Sequence, residues 1–292
     1  LGIRRREGST GAMSLLHHRS SITRALVPIF AAHSPTAFGE PTIPNMKILV
    51  LLSQVPDTTA RIAFANGNTQ FDANGVTFIV NPYDEWYALV RALELKEANG
   101  GNVTVVNVGP AENDQVIRKA LAIGADDAIR IDVTGEADSY AIAAEIAAVA
   151  KSGGYDMILL GKETISYNGS NLGGMLAELL DLPFVSYASK LDMAGNTASI
   201  EREIEGGKEV LSVDVPFVIS CAKGMAEARI PNMKGIMSAK TKPLNVVAPQ
   251  GVGSLTSVVK YELPPAKGAC KMISADNPEE LIRLLHEEAK QI

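Results

Sequence analysis

The stretch YDMILLGKETISYNGSNLGGML at 155–176 leaves this chain few ways to fold. An apolar run at 157–160 stops at Gly161, a polar loop with glycines follows, and an apolar-periodic segment begins near Asn171. Those patterns spell buried strand, loop and helix, in that order. The same grammar repeats upstream. KILVLLS at 47–53 and the segment 102–108 are unbroken apolar runs of strand length, as expected when helices cover both faces of a sheet. Positions 83–99, 112–123 and 139–151 carry helical spacing, the first closed by Gly100-Gly101, and 128–131 is a short strand. This alternation predicts βαβ units, and right-handed crossovers then give a parallel sheet with flanking helices. The expected class is α/β.

Beyond Leu182-Pro183 the pattern changes. Segments 186–193, 198–206 and 208–216 read as antiparallel strands added to the sheet, with turns at Ala194-Gly195-Asn196 and Gly206-Gly207, and PFVISCA returns to the core. Earlier, 66–80 reads as a polar hairpin or excursion around Asn74-Gly75. A short helix is expected after Pro231. The segment 246–265 is extended without helical period, and Asn277-Pro278 opens a last helix that runs to about Lys290. The chain thus divides into an extension at 1–45, a nucleotide-binding α/β domain at 46–245 and a C-terminal arm at 246–292, packed on another subunit or wrapped round this one. The extension has an arginine cluster, few acids and scattered prolines, which suits a targeting segment or a non-native addition. A bacterial chain would be cytoplasmic; a true presequence would send it to the mitochondrial matrix.

Composition removes several function classes. A net charge of −6 argues against a general nucleic-acid partner. Cys221 and Cys270 are the only cysteines, too few for a thiolate metal cluster. No run has the length of an integral membrane segment. His17, His18, His33 and His286 lie near the ends, which leaves no histidine for a catalytic centre in the core. Asp57, Asp84, Glu163 and Glu227 form no evident acid–base pair, so no catalytic residue is assigned.

A ligand site is nevertheless expected. The first turn of a helix has unpaired N–H donors and a positive dipole end, and open α/β sheets bind ligands beyond the carboxyl ends of their strands. There is no GxGxxG after 47–53 and no GxxxxGK[ST], so neither a dinucleotide fingerprint nor a Walker loop is present. The glycines at 161–174 are open to two readings: a phosphate loop, or tight turns and helix packing. Ser166, Asn168, Ser170 and Asn171 offer hydrogen bonds to phosphate or ribose, and Lys162 offers charge; Glu163 would repel an anion unless it pointed outward. Asn81-Pro82-Tyr83 places an aromatic just after an extended run. Arg202-Glu203, Arg229, Lys234, Lys240 and Lys242 read as a solvated face, an acidic partner's contact, or a clasp for the tail. A ligand site without catalytic apparatus suggests a carrier or regulatory subunit that orients a bound cofactor.

From Met46 onward the chain resembles the beta subunit of electron transfer flavoprotein. The resemblance rests on KILVLLSQVPDT, VNPYDE, NVGPAENDQVIRKALAIGAD, LLGKETISYNGSNLGG, ASIEREIEGGKEVLSVDVPFVIS and EARIPNMKGIMSAKTKPL, in that order. It implies a Rossmann-like sheet of the adenine-nucleotide-alpha-hydrolase type, with antiparallel additions and the C-terminal arm. It also implies an obligate heterodimer with an alpha subunit that holds most of the FAD, while the beta subunit holds AMP, or a second FAD in electron-bifurcating members reduced by NADH. Electrons would arrive from flavoprotein dehydrogenases, commonly acyl-CoA dehydrogenases of fatty acid oxidation, and leave toward a quinone oxidoreductase. Such a protein is an electron carrier rather than an enzyme. Carried onto this chain, the nucleotide pocket would comprise Leu51, Asn81, Pro82, Tyr83, Asp84, Val108, Gly161, Lys162, Glu163, Thr164, Ile165, Ser166, Tyr167, Asn168, Gly169, Ser170, Asn171 and Leu172. Tyr83 would approach the alpha-bound flavin, and Met225 would replace a leucine that anchors partner dehydrogenases. The loop departs from the family at Glu163, Ser166, Tyr167, Asn168 and Asn171, so the nucleotide's identity is less fixed than the family. From another class, a stand-alone adenine-nucleotide-binding module would share the pocket but need no redox partner.

Overall fold

The computed structural model describes residues 45–82, 84–164 and 167–292. The extension up to residue 44, together with Tyr83, Ile165 and Ser166, lies outside the described residues. In chain order, β1 (Met46–Leu51) leads into an excursion of short strands, β2 (Gln54–Pro56), β3 (Phe64–Ala65), β4 (Gln70–Phe71) and β5 (Phe78–Val80). Then come α1 (Asp84–Asn99), β6 (Gly101–Val108), a 3₁₀ turn (Ala111–Asn113), α2 (Asp114–Ile123), β7 (Asp127–Ile131), α3 (Ser139–Gly153), β8 (Met157–Gly161) and α4 (Leu172–Leu180). The meander β9 (Phe184–Ala194), β10 (Thr197–Ile204) and β11 (Gly207–Asp214) precedes β12 (Phe217–Cys221), α5 (Met233–Ala239), β13 (Leu244–Val247) and α6 (Pro278–Glu287).

Among the described residues, nine strands form one sheet in the order β11-β10-β9-β12-β8-β1-β6-β7-β13. Every pairing from β9 to β13 along that order is parallel, and β10 and β11 continue it antiparallel. The α/β expectation with antiparallel additions holds.

The apolar run of β1 has a physical cause. Successive side chains of a strand point to opposite faces. Ile48 and Val50 enter an apolar layer shared with α1 and α2, whereas Leu49 and Leu51 enter a second layer with α3 and α4. Both faces are covered, so neither tolerates a polar residue.

Two expectations are corrected in detail. The hairpin turn of the excursion is Asn66-Gly67-Asn68, between the paired β3 and β4, not Asn74-Gly75. All three residues have left-handed φ values of 51°, 70° and 66°, which Asn and Gly tolerate best. Asn74-Gly75 joins β4 to β5, strands that pair with other partners, β5 with β2. The sheet also runs past position 245, because β13 pairs with β7 through Val246↔Arg130 and Val247↔Ile131.

Candidate nucleotide site

The chain enters the sheet at β1, steps outward through β6 and β7, and then crosses back so that β8 lies on the other side of β1. That reversal opens a crevice between the carboxyl ends of β1 and β8, where an open α/β sheet places its ligand. A narrow slot occupies this position. Leu51 ends β1 on one side; Leu160, Gly161, Lys162, Glu163 and Thr164 leave β8 on the other; Gly169, Ser170, Leu172 and Gly173 close it from the start of α4. Residues expected from sequence to act together therefore meet here.

The donors at the head of α4 fit an anion. Its N-cap residue, Asn171, has helical φ and ψ of −93° and −15°, and its side chain makes no capping hydrogen bond. The first amides of the helix are thus left to an outside acceptor. The preceding loop is folded on itself: the Asn168 amide donates to Thr164 O at 2.9 Å, with Asn168 at φ 50°. Glu163 does not present a bare carboxylate, since Lys162 Nζ lies 3.0 Å from its Oε1. Asn81 is fully buried beneath the loop. Its Nδ2 donates to Glu163 O at 2.9 Å, while its Oδ1 has no partner among the described residues. An orphaned buried acceptor of this kind suits a ligand hydroxyl or amino group.

Close packing accounts for two of the glycines. A Cβ on Gly161 would sit 2.9 Å from Asp84 Cβ, Glu85 Cγ and the Glu85 amide nitrogen. One on Gly173 would sit 2.8 Å from the Phe184 ring. Gly161 lets β8 touch the first turn of α1, and Gly173 lets α4 lie on β9. Gly169 meets no such neighbour.

Glu85 lines the slot beside its helix neighbour Asp84, and Glu85 is the residue that sequence reading missed. A charged residue at the solvent-spaced start of a helix reads as surface, yet both carboxylates are buried. The Ser53 amide and hydroxyl each donate to Glu85 at 2.6 Å. Burial pushes the Glu85 carboxyl up to about 7 against those bonds, with the Asp84 charge adding to the rise. Asp84 is pushed to about 6, again by burial first, partly opposed by Lys162.

The remaining expected residues are less central. Pro82 is half-buried just before α1, and Val108, at the end of β6, packs with Leu51 and Leu172 in the second apolar layer rather than in the slot wall. Tyr167 is exposed. Tyr83, Ile165 and Ser166 lie outside the described residues.

Three of the basic residues take specific structural roles. Arg202 Nε donates to Glu209 across the β10–β11 hairpin at 2.7 Å. Arg229 forks onto Glu97 at 2.6 and 3.0 Å. Lys242 caps the carbonyl end of α2 by donating to Leu121 O and Ala125 O.

Met225 lies inward. It is 5% exposed and belongs to the larger apolar layer, so it is not presented as a plug for a partner. The exposed large apolar side chains of this region are Ile230 at 85%, Met233 at 73%, Met237 at 69% and Ile236 at 43%. Met233 and Met237 stand one helical turn apart on α5.

The electron transfer flavoprotein domain matches residues 69–251, more than half of the chain. The chain belongs to the electron transfer flavoprotein family. It is 35% identical over 261 residues to the electron transfer flavoprotein subunit beta of Bacillus subtilis, covering 85% of this chain and 100% of that protein. The human electron transfer flavoprotein subunit beta is 33% identical over 252 residues, 83% of this chain and 98% of its own length. Subunit CarD of the caffeyl-CoA reductase-Etf complex of Acetobacterium woodii is 32% identical over 260 residues, 84% of this chain and 98% of its own. Membership of the electron transfer flavoprotein family carries electron transport and an association with flavin and AMP. Among the described residues no helix is long and apolar enough to cross a membrane.

Proposed function

We propose that this chain is the nucleotide-holding beta subunit of a two-subunit electron carrier, with AMP in the β1/β8 slot and FAD held mainly by an alpha subunit. The observation that carries the reading is the slot itself: an uncapped helix start and a loop with its own carboxylate neutralised, both at the topological reversal. The amides at the head of α4, with Ser170 and Thr164, would hold the phosphate, and Asn81 Oδ1 would receive a ribose or adenine donor. Leu51 and Leu172 supply apolar wall. Flavin supplies the one- and two-electron chemistry when bound; the chain's part is to brace the complex and exclude water.

Exposed apolar residues on the arm, among them Leu255, Val259, Leu263 and Met272, support a second subunit lying against it. The docking role expected of Met225 passes to Ile230, backed by Met233 and Met237, as the surface that receives a flavoprotein dehydrogenase. A quinone oxidoreductase completes the proposed route.

Similarity to CarD, a subunit of a caffeyl-CoA reductase-Etf complex, favours one further reading: a second FAD in the slot. Co-purification with the alpha subunit, an absorption spectrum and chromatography of released nucleotides test both. About one FAD and one AMP per heterodimer supports the AMP reading. Two FADs supports the other, and no flavin in any complex sinks both.

A further inference from the structure

Helix α5 is held in place by something other than burial. It has seven residues, too few to keep a helix in water unaided. Its larger apolar side chains, Met233, Ile236 and Met237, are exposed, so little of its stability comes from the core. The side turned inward carries Gly235 and Ala239, one turn apart. A Cβ on Gly235 would sit 2.2 Å from Ala122 O, which brings the backbones of α5 and α2 into direct contact.

Polar bonds do the holding. Asn232 caps the start of α5, its Oδ1 accepting from the Gly235 amide at 2.8 Å. At the other end, Arg118 of α2 donates to Ala239 O and Lys242 O at 2.8 and 2.7 Å. Lys242, just past α5, donates in return to Leu121 O and Ala125 O at 2.9 and 2.5 Å. Each helix thus has its carbonyl end closed by a cation from the other segment, where unpaired carbonyls and the negative end of the dipole favour one. Arg118 and Lys242 are both half-buried, which shields these bonds from competing water. Together they form a reciprocal clasp. A helix anchored by its core face would have to turn its apolar side chains inward; the clasp fixes α5 and leaves them outside.

We propose that Arg118 and Lys242 are positioning residues for docking: their clasp fixes α5, so that Met233, Ile236 and Met237 meet a flavoprotein dehydrogenase already ordered. The claim rests on the docking reading above for its partner. A preordered helix loses its conformational entropy during folding rather than at encounter. The clasp therefore strengthens association without touching electron transfer in the docked complex.

The test uses the full chain purified with its alpha subunit, and a purified acyl-CoA dehydrogenase with its acyl-CoA as electron source. Arg118→Met and Lys242→Met keep the apolar stems and remove the donors; Arg118→Lys keeps a cation with fewer donors. Either Met change is expected to quicken hydrogen exchange across 233–242 and to raise the KM for the dehydrogenase about three- to tenfold, with kcat unchanged. Arg118→Lys recovers part of both effects, and the two Met changes together give less than the sum of their separate effects. If Arg118→Met does not fold, Lys242→Met and Arg118→Lys decide the question. Faster exchange in α5 with KM at the parent value overturns the proposal, as does exchange that stays slow. The docking reading itself fails, and the proposal with it, if Met233→Ala and Ile230→Ala leave KM unchanged.

Discussion

The parallel core and the C-terminal arm are held by different physics. In the core, both faces of β1 and β8 are covered, and position is set by many interchangeable apolar contacts. Along the arm, position is set by a few named polar bonds, from Glu145, Asp138 and Tyr261 to backbone and side chains far away in sequence. The first kind of order is cooperative and survives a single loss with a graded cost. The second is local, and removing one anchor frees a short segment without unfolding the rest.

The largest expected effect breaks the comparison inside one region. Met225→Ala removes a buried side chain and lowers global stability by about 2–5 kcal/mol. Ile230→Ala, five residues on but exposed, changes stability by no more than about 0.5 kcal/mol. Its effect falls on docking, with dehydrogenase-coupled reduction slowed about tenfold at low dehydrogenase concentration, a loss of about 1.4 kcal/mol. Chemical denaturation and coupled kinetics on both variants check this, and the reverse pattern would restore Met225 as the anchor.

Next comes the pH response of Asp84 and Glu85. The folded-state pKa of Glu85 is raised from 4.5 to about 7 and that of Asp84 from 3.8 to about 6. Between those values the folded protein holds protons the unfolded chain has released. Their contribution to stability is therefore complete below about pH 4 and is lost as pH rises toward 7. Glu85→Gln can still accept from the Ser53 amide and donate to its hydroxyl, so the variant should flatten this slope by roughly 2 kcal/mol between pH 4.5 and 7. Parallel slopes for parent and variant would show that burial does not raise the pKa of Glu85.

The smallest effect sharpens the contrast. Glu145→Gln leaves one good acceptor for the amides of Gln250 and Val252, which both donate to the parent carboxylate, and should cost about 1 kcal/mol. Hydrogen exchange is expected to quicken at 250–256 and stay unchanged in β1 and β8. Uniform quickening across the sheet would mean that the arm is part of the core's cooperative unit.

The same contrast explains what could be read before the structure. The runs at 47–53, 102–108 and 157–160 announce buried parallel strands because two covered faces forbid alternation. The slot loop was legible as strand, loop and helix from Gly161 and from the periodic start near Asn171, and it lies at the topological reversal. Glu85 was not legible, because its burial depends on Ser53 and on Gly161 clearing space for α1. β13 was missed: it is four residues long, lies at the sheet edge and carries only half-buried or exposed side chains. Met225 and Ile230 are both apolar in a turn-rich segment, and only packing tells which faces inward. Tyr261, which stacks on Phe64 with ring centroids 4.9 Å apart, leaves no trace in periodicity, since a single stacking contact has no repeat.

The central claim is that the crevice between β1 and β8 receives the adenylate. Photolabelling the purified complex with an azido-AMP probe, followed by peptide mapping, tests it most directly. The account predicts label on peptides spanning 81–85 or 161–173, suppressed by excess AMP. Label confined to other peptides, or none that AMP displaces, would contradict it.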